Sequence, residues 1–199
     1  MALAPGQVGI GIRRHFTQQG VHPYETVKWE RREARIPNYK DGGDAFYQPD
    51  VEFPVTWSQN ATNIVAQKYF RGTLGTPERE SSLREVIDRV ADTIADWGIK
   101  DGYFTDGQEA DAFRDELKYL LVHQKAAFNS PVWFNIGVKD TPQQASACFI
   151  LAVEDKMSSI LNWYVEEGTI FKGGSGSGIN LSTIRSSFES LAGGGTASG

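Results

Sequence analysis

Apolar residues recur at spacings of three and four through Leu83, Val86, Ile87, Val90, Ile94 and Trp97, the clearest helical period in the chain. Thr76-Pro77-Glu78 predicts its N-cap with a proline at the first helical position, and Gly98 predicts its end. A second helix is expected from near Ser58, with Ile64, Val65, Lys68 and Tyr69 on one face and Gly72 as its stop. A third begins at Asp106, where Glu109 completes a capping-box pattern, and buries Phe113, Leu117, Leu120 and Leu121. The stretch FNSPVWFNIG, residues 128–137, predicts a turn at Ser130-Pro131 followed by a short buried strand. SACFILAV, residues 146–153, is a continuous apolar run of strand length. Met157 to Phe171 returns to a helical period through Ile160, Leu161, Tyr164 and Val165, and a glycine loop and a strand INLSTI follow. Ahead of all these, residues 1 to about 56 mix proline, glycine, charge and aromatics, which predicts extended arms and short strands packed on something larger.

Composition narrows the class. Hydrophobic residues make up 40% of the 199 positions and aromatics 12%, enough for a core and too much for wholesale disorder. The net charge of -5 argues against a dedicated nucleic-acid binder, which carries a basic face to neutralise phosphates. Lys28, Arg31, Arg32 and Arg35 are interleaved with Glu30 and Glu33, which predicts a solvated face. No apolar run is long enough to span a bilayer and no signal peptide is visible, so no membrane role is expected. The single cysteine, Cys148, forms no internal disulfide, and a reducing compartment, the cytoplasm, is the simplest setting. His15, His22 and His123 lie far apart with no metal-ligand spacing, so no metal site is expected.

The glycine loop FKGGSGSGINLSTIRSS raises the first chemical question, because Gly173, Gly174, Gly176 and Gly178 fall within six residues. No Lys-Ser/Thr pair follows them, so a Walker A loop is excluded. The dinucleotide fingerprint fails too, since its last glycine position is Ile179 and the order here is helix, loop, strand. Two readings remain: a helix C-cap with a connecting turn, or a bare backbone that a ligand approaches closely. Cys148 likewise reads either as a buried, inert hydrophobe or as a redox or nucleophilic thiol. Glu154 and Asp155 precede a helix, where carboxylates favour the positive end of the dipole, and Arg185 at a strand end reads as a surface residue.

Four pieces occur in this order: FNSPVWFNIG, ASACFILAVEDKMSSI, EEGTIFKGGSGSGINLSTIRSS and GGGTASG. Together they resemble the first part of the catalytic core of ribonucleotide reductases, closest to the adenosylcobalamin-dependent class II enzymes, and residues 1 to about 127 resemble the N-terminal region of that class. The resemblance implies an α/β fold: a mainly helical region over 1–127, then over 128–199 the first strands of a ten-stranded barrel. It implies reduction of ribonucleotides to 2′-deoxyribonucleotides by thiyl-radical chemistry, with Cys148 as one of a redox pair. Ser130, Ala147, Cys148 and Gly176 match substrate-contacting positions, Ser130 through phosphate and Gly176 through its backbone. Where some relatives carry a hydroxyl just before the redox cysteine, this chain has Ala147. Asp155 and Arg185 match the pocket of an allosteric deoxynucleotide at a homodimer interface. A thioredoxin-type reductant and adenosylcobalamin are the implied partner and cofactor. The thiyl cysteine and the second redox cysteine have no counterpart among these residues, so the chain is expected to be an N-terminal fragment that does not turn over alone. Other readings are a nucleotide-binding or assembly module working with a separate chain, and a glycine-rich adaptor without ligand.

Overall fold

Trp29–Pro37 (β1) and Asp44–Pro54 (β2) pair as an antiparallel hairpin in the computed structural model, which describes residues 9–40 and 42–197. The first eight residues of the expected N-terminal arm and the last two of GGGTASG lie outside the described residues. The chain divides into two units, one ending at Gln143 and the other beginning at Gln144.

In the first unit the hairpin turns Ala34, Val51 and Phe53 onto a core shared with Tyr24, Phe70, Leu83, Val86, Ile87 and Val122. The charge-mixed cluster of β1 is only partly the solvated face expected. Arg31 and Arg35 are exposed, but Arg32 turns inward and donates to the carbonyls of Trp57 and Pro54 and to the Thr62 hydroxyl. Those three acceptors, with the Glu30 carboxylate, serve the two terminal nitrogens of the guanidinium, while its Nε is buried with no partner among the described residues.

Helix α1 spans Gln59–Lys68, with the Ser58 hydroxyl accepting from the Ala61 amide. Its inner face carries Thr62, Val65 and Ala66, whereas Ile64 points outward. Helix α2, Leu83–Lys100, starts later than Thr76-Pro77 predicts. Ser82 caps it in a full capping box, and Glu85 Oε2 accepts from the amides of Ser81 and Ser82. Thr76 to Arg79 form a turn instead, held by Arg79, which donates to the carbonyls of Ala66, Phe70 and Gly72. Gly98 lies inside α2 rather than ending it. A Cβ there would stand 2.5 Å from the Phe104 ring, so glycine lets that ring lie against the helix.

Helix α3, Gly107–Val122, is capped by Asp106 as expected, but the Glu109 carboxylate does more than close a box. It accepts from the Thr105 amide and hydroxyl and from the amides of Gly11 and Ile12, and Glu116 accepts from the amides of His15, Phe16 and Thr17. Two carboxylates one helical stretch apart thus strap residues 11–17 along α3. The Thr105 hydroxyl and amide, with the Ile12 and Gly11 amides, hold Glu109 down at about 2 from an ordinary 4.5. A carboxylate depressed on folding stabilises above its unfolded value and loses that contribution as pH falls towards the folded one. The Gly11 and Ile12 amides are therefore expected to lose hydrogen-exchange protection as pH drops below 4.5 towards about 2, and to lose it already at pH 7 in Glu109→Ala. Unchanged protection in that variant would show that the strap is held elsewhere.

Residues 130–137 overturn the expectation of a buried strand: Ser130–Asn135 form a short helix, α4, with Pro131 in its first turn. Pro131, Val132 and Ile136 are buried while Phe134 between them is only partly so, and the Ile136 amide donates to the Val132 carbonyl at 2.9 Å, a pattern that suits a helix and not the every-second-residue burial of a strand. Gly137, at φ 70°, ends it.

The second unit is a βαβ arrangement: β3 (Cys148–Ala152), α5 (Met157–Lys172) and β4 (Gly176–Asn180), with β3 and β4 parallel. The expected strand over 146–153 is there. The one after the glycines lies earlier than INLSTI: Gly176 and Gly178 belong to β4 itself, and Leu181 to Ile184 turn away. Gly174, at φ 83°, makes the reversal that lets the Gly176 amide donate to the Ala147 carbonyl at 2.9 Å. The chain is mixed α/β, and among the described residues its sheets are two-stranded and open. Among the described residues no helix is long and apolar enough to cross a membrane.

Candidate functional site

Cys148 opens β3 and stands in register with Gly176 of β4. Register partners in a parallel pair present to the same face, so the thiol sits beside a position with no side chain. The apolar run around Cys148 suggests burial, yet the cysteine is exposed. The strand alternates: Phe149, Leu151 and Val153 are the more covered positions, while Cys148 and Ile150, the latter 81% accessible, face out. An unbroken apolar run looks identical in sequence whether one face is covered or both.

The turn before β4 is laced to the segment before β3. The Ser175 hydroxyl donates to the Ser146 carbonyl at 3.0 Å, and the Gln144 amide donates to that hydroxyl in turn. The Ser177 hydroxyl donates to Glu167 at 2.6 Å, tying β4 to α5. Ala147 contributes its carbonyl to Gly176. Three of the sequence-predicted substrate positions, Ala147, Cys148 and Gly176, are therefore neighbours in one parallel pair. A Cβ built on Gly176 would meet only the Ala147 carbonyl oxygen, at 3.9 Å. Neither a close contact within this unit nor a left-handed backbone requires glycine there, in contrast to Gly174.

Asp155 and Arg185, thirty residues apart, also meet. Arg185 Nε donates to Asp155 Oδ2 at 2.5 Å, with both side chains partly exposed. The Thr183 hydroxyl donates to the Val153 carbonyl and brings the Arg185 segment against the end of β3. Glu154 pairs with Lys156, which is the N-cap residue of α5, and α5 has no side-chain cap, so both carboxylates precede the helix as the sequence suggests without bonding to its first amides. None of the residues of α5 is buried; Leu161, Tyr164 and Val165 are exposed.

Ser130 lies in the first unit, at the start of α4, with its hydroxyl 2.9 Å from that of Tyr69. Sequence reasoning missed the buried charged groups of this unit. Arg89 and Glu80 form an ion pair at 2.7 Å with side chains 11% and 12% accessible, and Arg89 also donates to the carbonyls of Trp133 and Ile136 in and after α4. Lys118 is buried between Asp88 and Asp92, at 2.7 and 2.9 Å. Each sits in a helical stretch that reads as solvated polar face, and no local signal marks it. Tyr69 could have been noticed as an aromatic with a polar tip at a helix end.

Two family models match. Residues 30–124 match the class II vitamin B12-dependent ribonucleotide reductase model, and residues 146–199 match the ribonucleotide reductase barrel domain. The vitamin B12-dependent ribonucleotide reductase of Streptomyces coelicolor is 56% identical over 191 residues, which is 96% of this chain and 20% of that protein. The protein of the same name from Rhodopirellula baltica is 41% identical over 227 aligned positions, covering all of this chain and 22% of the relative. That from Agrobacterium fabrum is 33% identical, over 94% of this chain and 20% of its own length. The chain thus spans about a fifth of the length of the curated relatives it matches. With matches over both of its units, at more than half identity to some relatives, this chain belongs to the class II, vitamin B12-dependent ribonucleotide reductase family.

Proposed function

We propose that this chain supplies the opening elements of a ribonucleotide reductase that converts ribonucleotides to 2′-deoxyribonucleotides, including the first strands of its ten-stranded barrel. The observation that carries the reading is the exposed Cys148 thiol lying beside Gly176, at a position whose glycine nothing in the unit demands. A bare backbone there leaves room for a nucleotide to lie against the sheet next to a thiol.

The chemistry explains the thiol. Removing a ribose 2′-hydroxyl breaks the C2′–O bond, releases water and forms a C2′–H bond, which takes two electrons and two protons. A pair of thiols delivers both and ends as a disulfide, which a thioredoxin-type reductant reopens by exchange. Cys148 is one member of that pair. It is the single cysteine of these residues, so its partner, and the cysteine that abstracts the 3′-hydrogen, come from outside them. Adenosylcobalamin, when bound, supplies the radical that starts the reaction. Among the described residues His22 Nδ1 already accepts from the Tyr24 amide and His123 Nε2 is bonded to the Thr26 hydroxyl.

Ser130 contributes a hydroxyl to the substrate phosphate. Asp155 and Arg185 take a deoxynucleotide effector, their partly exposed ion pair opening to the ligand. The uncovered apolar face of α5 is buried by a second copy in a homodimer; such a face on one helix marks an interaction surface.

The test is Gly176→Ala in the full-length enzyme. The added methyl enters open space, so folding stability stays the same or rises slightly, as glycine substitutions do where the backbone permits. Substrate held off the sheet by such a group loses about 10- to 100-fold in kcat/KM, the scale of a misplacement of about 1 Å. Unaltered kcat/KM would remove the substrate from this face.

A further inference from the structure

Tyr69 and Ser130 are held together by more than their own hydrogen bond. Tyr69 caps the C-terminus of α1, its amide donating to the Val65 carbonyl at 2.8 Å. Its own carbonyl accepts from Arg89 Nη2 at 3.3 Å, and the other terminal nitrogen of the same guanidinium donates to Trp133 and Ile136 at 3.1 and 2.9 Å. One buried, ion-paired arginine therefore pins the end of α1 and the end of α4 to a common point. The Tyr69 ring is fixed as well, stacked on Phe134 of α4 with centroids 5.4 Å apart and planes 23° from parallel.

Among the described residues, neither hydroxyl of the Tyr69–Ser130 pair meets another hydrogen-bond partner. Each carries one proton and can accept from others. A phosphate oxygen only accepts, so with a phosphate bound the serine proton goes to the phosphate and the tyrosine proton to the serine oxygen. The phenol is the more acidic of the two, which makes that direction the favourable one, and a chain of such bonds strengthens each member. The surroundings suit an anion. The Arg71 guanidinium lies 5.1 Å from the centre of the same Phe134 ring with its Nε buried and without a hydrogen-bond partner among the described residues, while the Glu80 carboxylate accepts from the Arg71 amide and not from the guanidinium.

We infer that Tyr69 is a positioning residue for Ser130, orienting the serine hydroxyl so that its proton is free for the substrate phosphate. The inference rests on Ser130 as a phosphate contact and adds a residue to which no substrate role has been assigned above. Phenylalanine at 69 keeps the ring on Phe134 and removes only the donor.

In the full-length holoenzyme, assayed on whichever of cytidine diphosphate and triphosphate it turns over, Tyr69→Phe raises KM about fivefold, the scale of one neutral hydrogen bond. At saturation kcat stays within about twofold, because the loss falls on binding and not on the chemical step. The thermal midpoint falls by no more than a few degrees, the scale of one hydrogen bond, and in a Ser130→Ala background the Tyr69→Phe change has no further effect on KM. If Ser130→Ala itself leaves KM unaltered, the phosphate role of Ser130 falls and the inference with it. If Ser130→Ala raises KM but Tyr69→Phe does not, or if the two effects multiply in the double variant, Ser130 keeps its role and Tyr69 loses the one proposed.

Discussion

Cys148→Ser in the full-length enzyme is expected to stop multiple-turnover reduction, lowering kcat by about three orders of magnitude or more, the scale on which removal of an essential reacting group is felt. The substitution is nearly isosteric and falls on the exposed face of β3, so folding and nucleotide affinity stay close to those of the parent. Serine oxygen cannot form the disulfide that remains when a thiol pair gives its two electrons to the substrate. Product quantified over several turnovers, with nucleotide binding measured in parallel, separates the cases. Turnover at the parental rate would show that the two electrons come from other thiols. Loss of nucleotide binding together with turnover would show a packing role for the thiol. Loss of turnover alone is the signature of a redox group.

The second large effect concerns stability. Arg89→Ala should destabilise the N-terminal unit by about 3–5 kcal/mol, the cost of leaving one member of a buried ion pair uncompensated. Glu80 would keep its charge in a nearly dry site, and the carbonyls of Tyr69, Trp133 and Ile136 would each lose a donor. Tryptophan fluorescence during urea denaturation reads this well, because Trp29, Trp57, Trp97 and Trp133 all belong to that unit. Replacing both partners by apolar residues, Arg89→Met with Glu80→Leu, should recover much of the loss, since the penalty comes from the unpaired charge rather than from the missing bond. A midpoint that moves by less than about 1 kcal/mol in the single variant, the range of exposed pairs, would mean that water reaches the pair and the anchor is weak. Arg89→Lys tests the geometry: one ammonium cannot serve Glu80 and three separated carbonyls at once, so only partial rescue is expected.

Periodicity made the main elements legible. The apolar spacing of α2, the Asp106 cap of α3, the β3 run and the period of α5 all appear where the residues predict them. The errors share a cause. Thr76-Pro77-Glu78 carries a good local start signal, but Ser82 with Glu85 satisfies more backbone donors at the point where the buried face begins. FNSPVWFNIG is too short for its period to be read, and only the backbone bond from the Ile136 amide to the Val132 carbonyl shows that the run is helical. Arg32, Arg89 and Lys118 look like surface charges because their acceptors are distant in sequence, carbonyls and carboxylates brought in by other elements.

The candidate site divides in the same way. Motif order along the chain pointed to Ser130, Ala147, Cys148, Gly176, Asp155 and Arg185, and to the reductase family, without any coordinates. What the residues alone could not decide was which of them meet. Parallel pairing of β3 with β4 set Cys148 beside Gly176, and the return of the chain after β4 joined Arg185 to Asp155. Local periodicity is written in neighbouring side chains, so a sequence displays it. Pairing across thirty residues, exposure of one strand face and satisfaction of a buried charge depend on what the rest of the fold places opposite, and only the folded chain contains that.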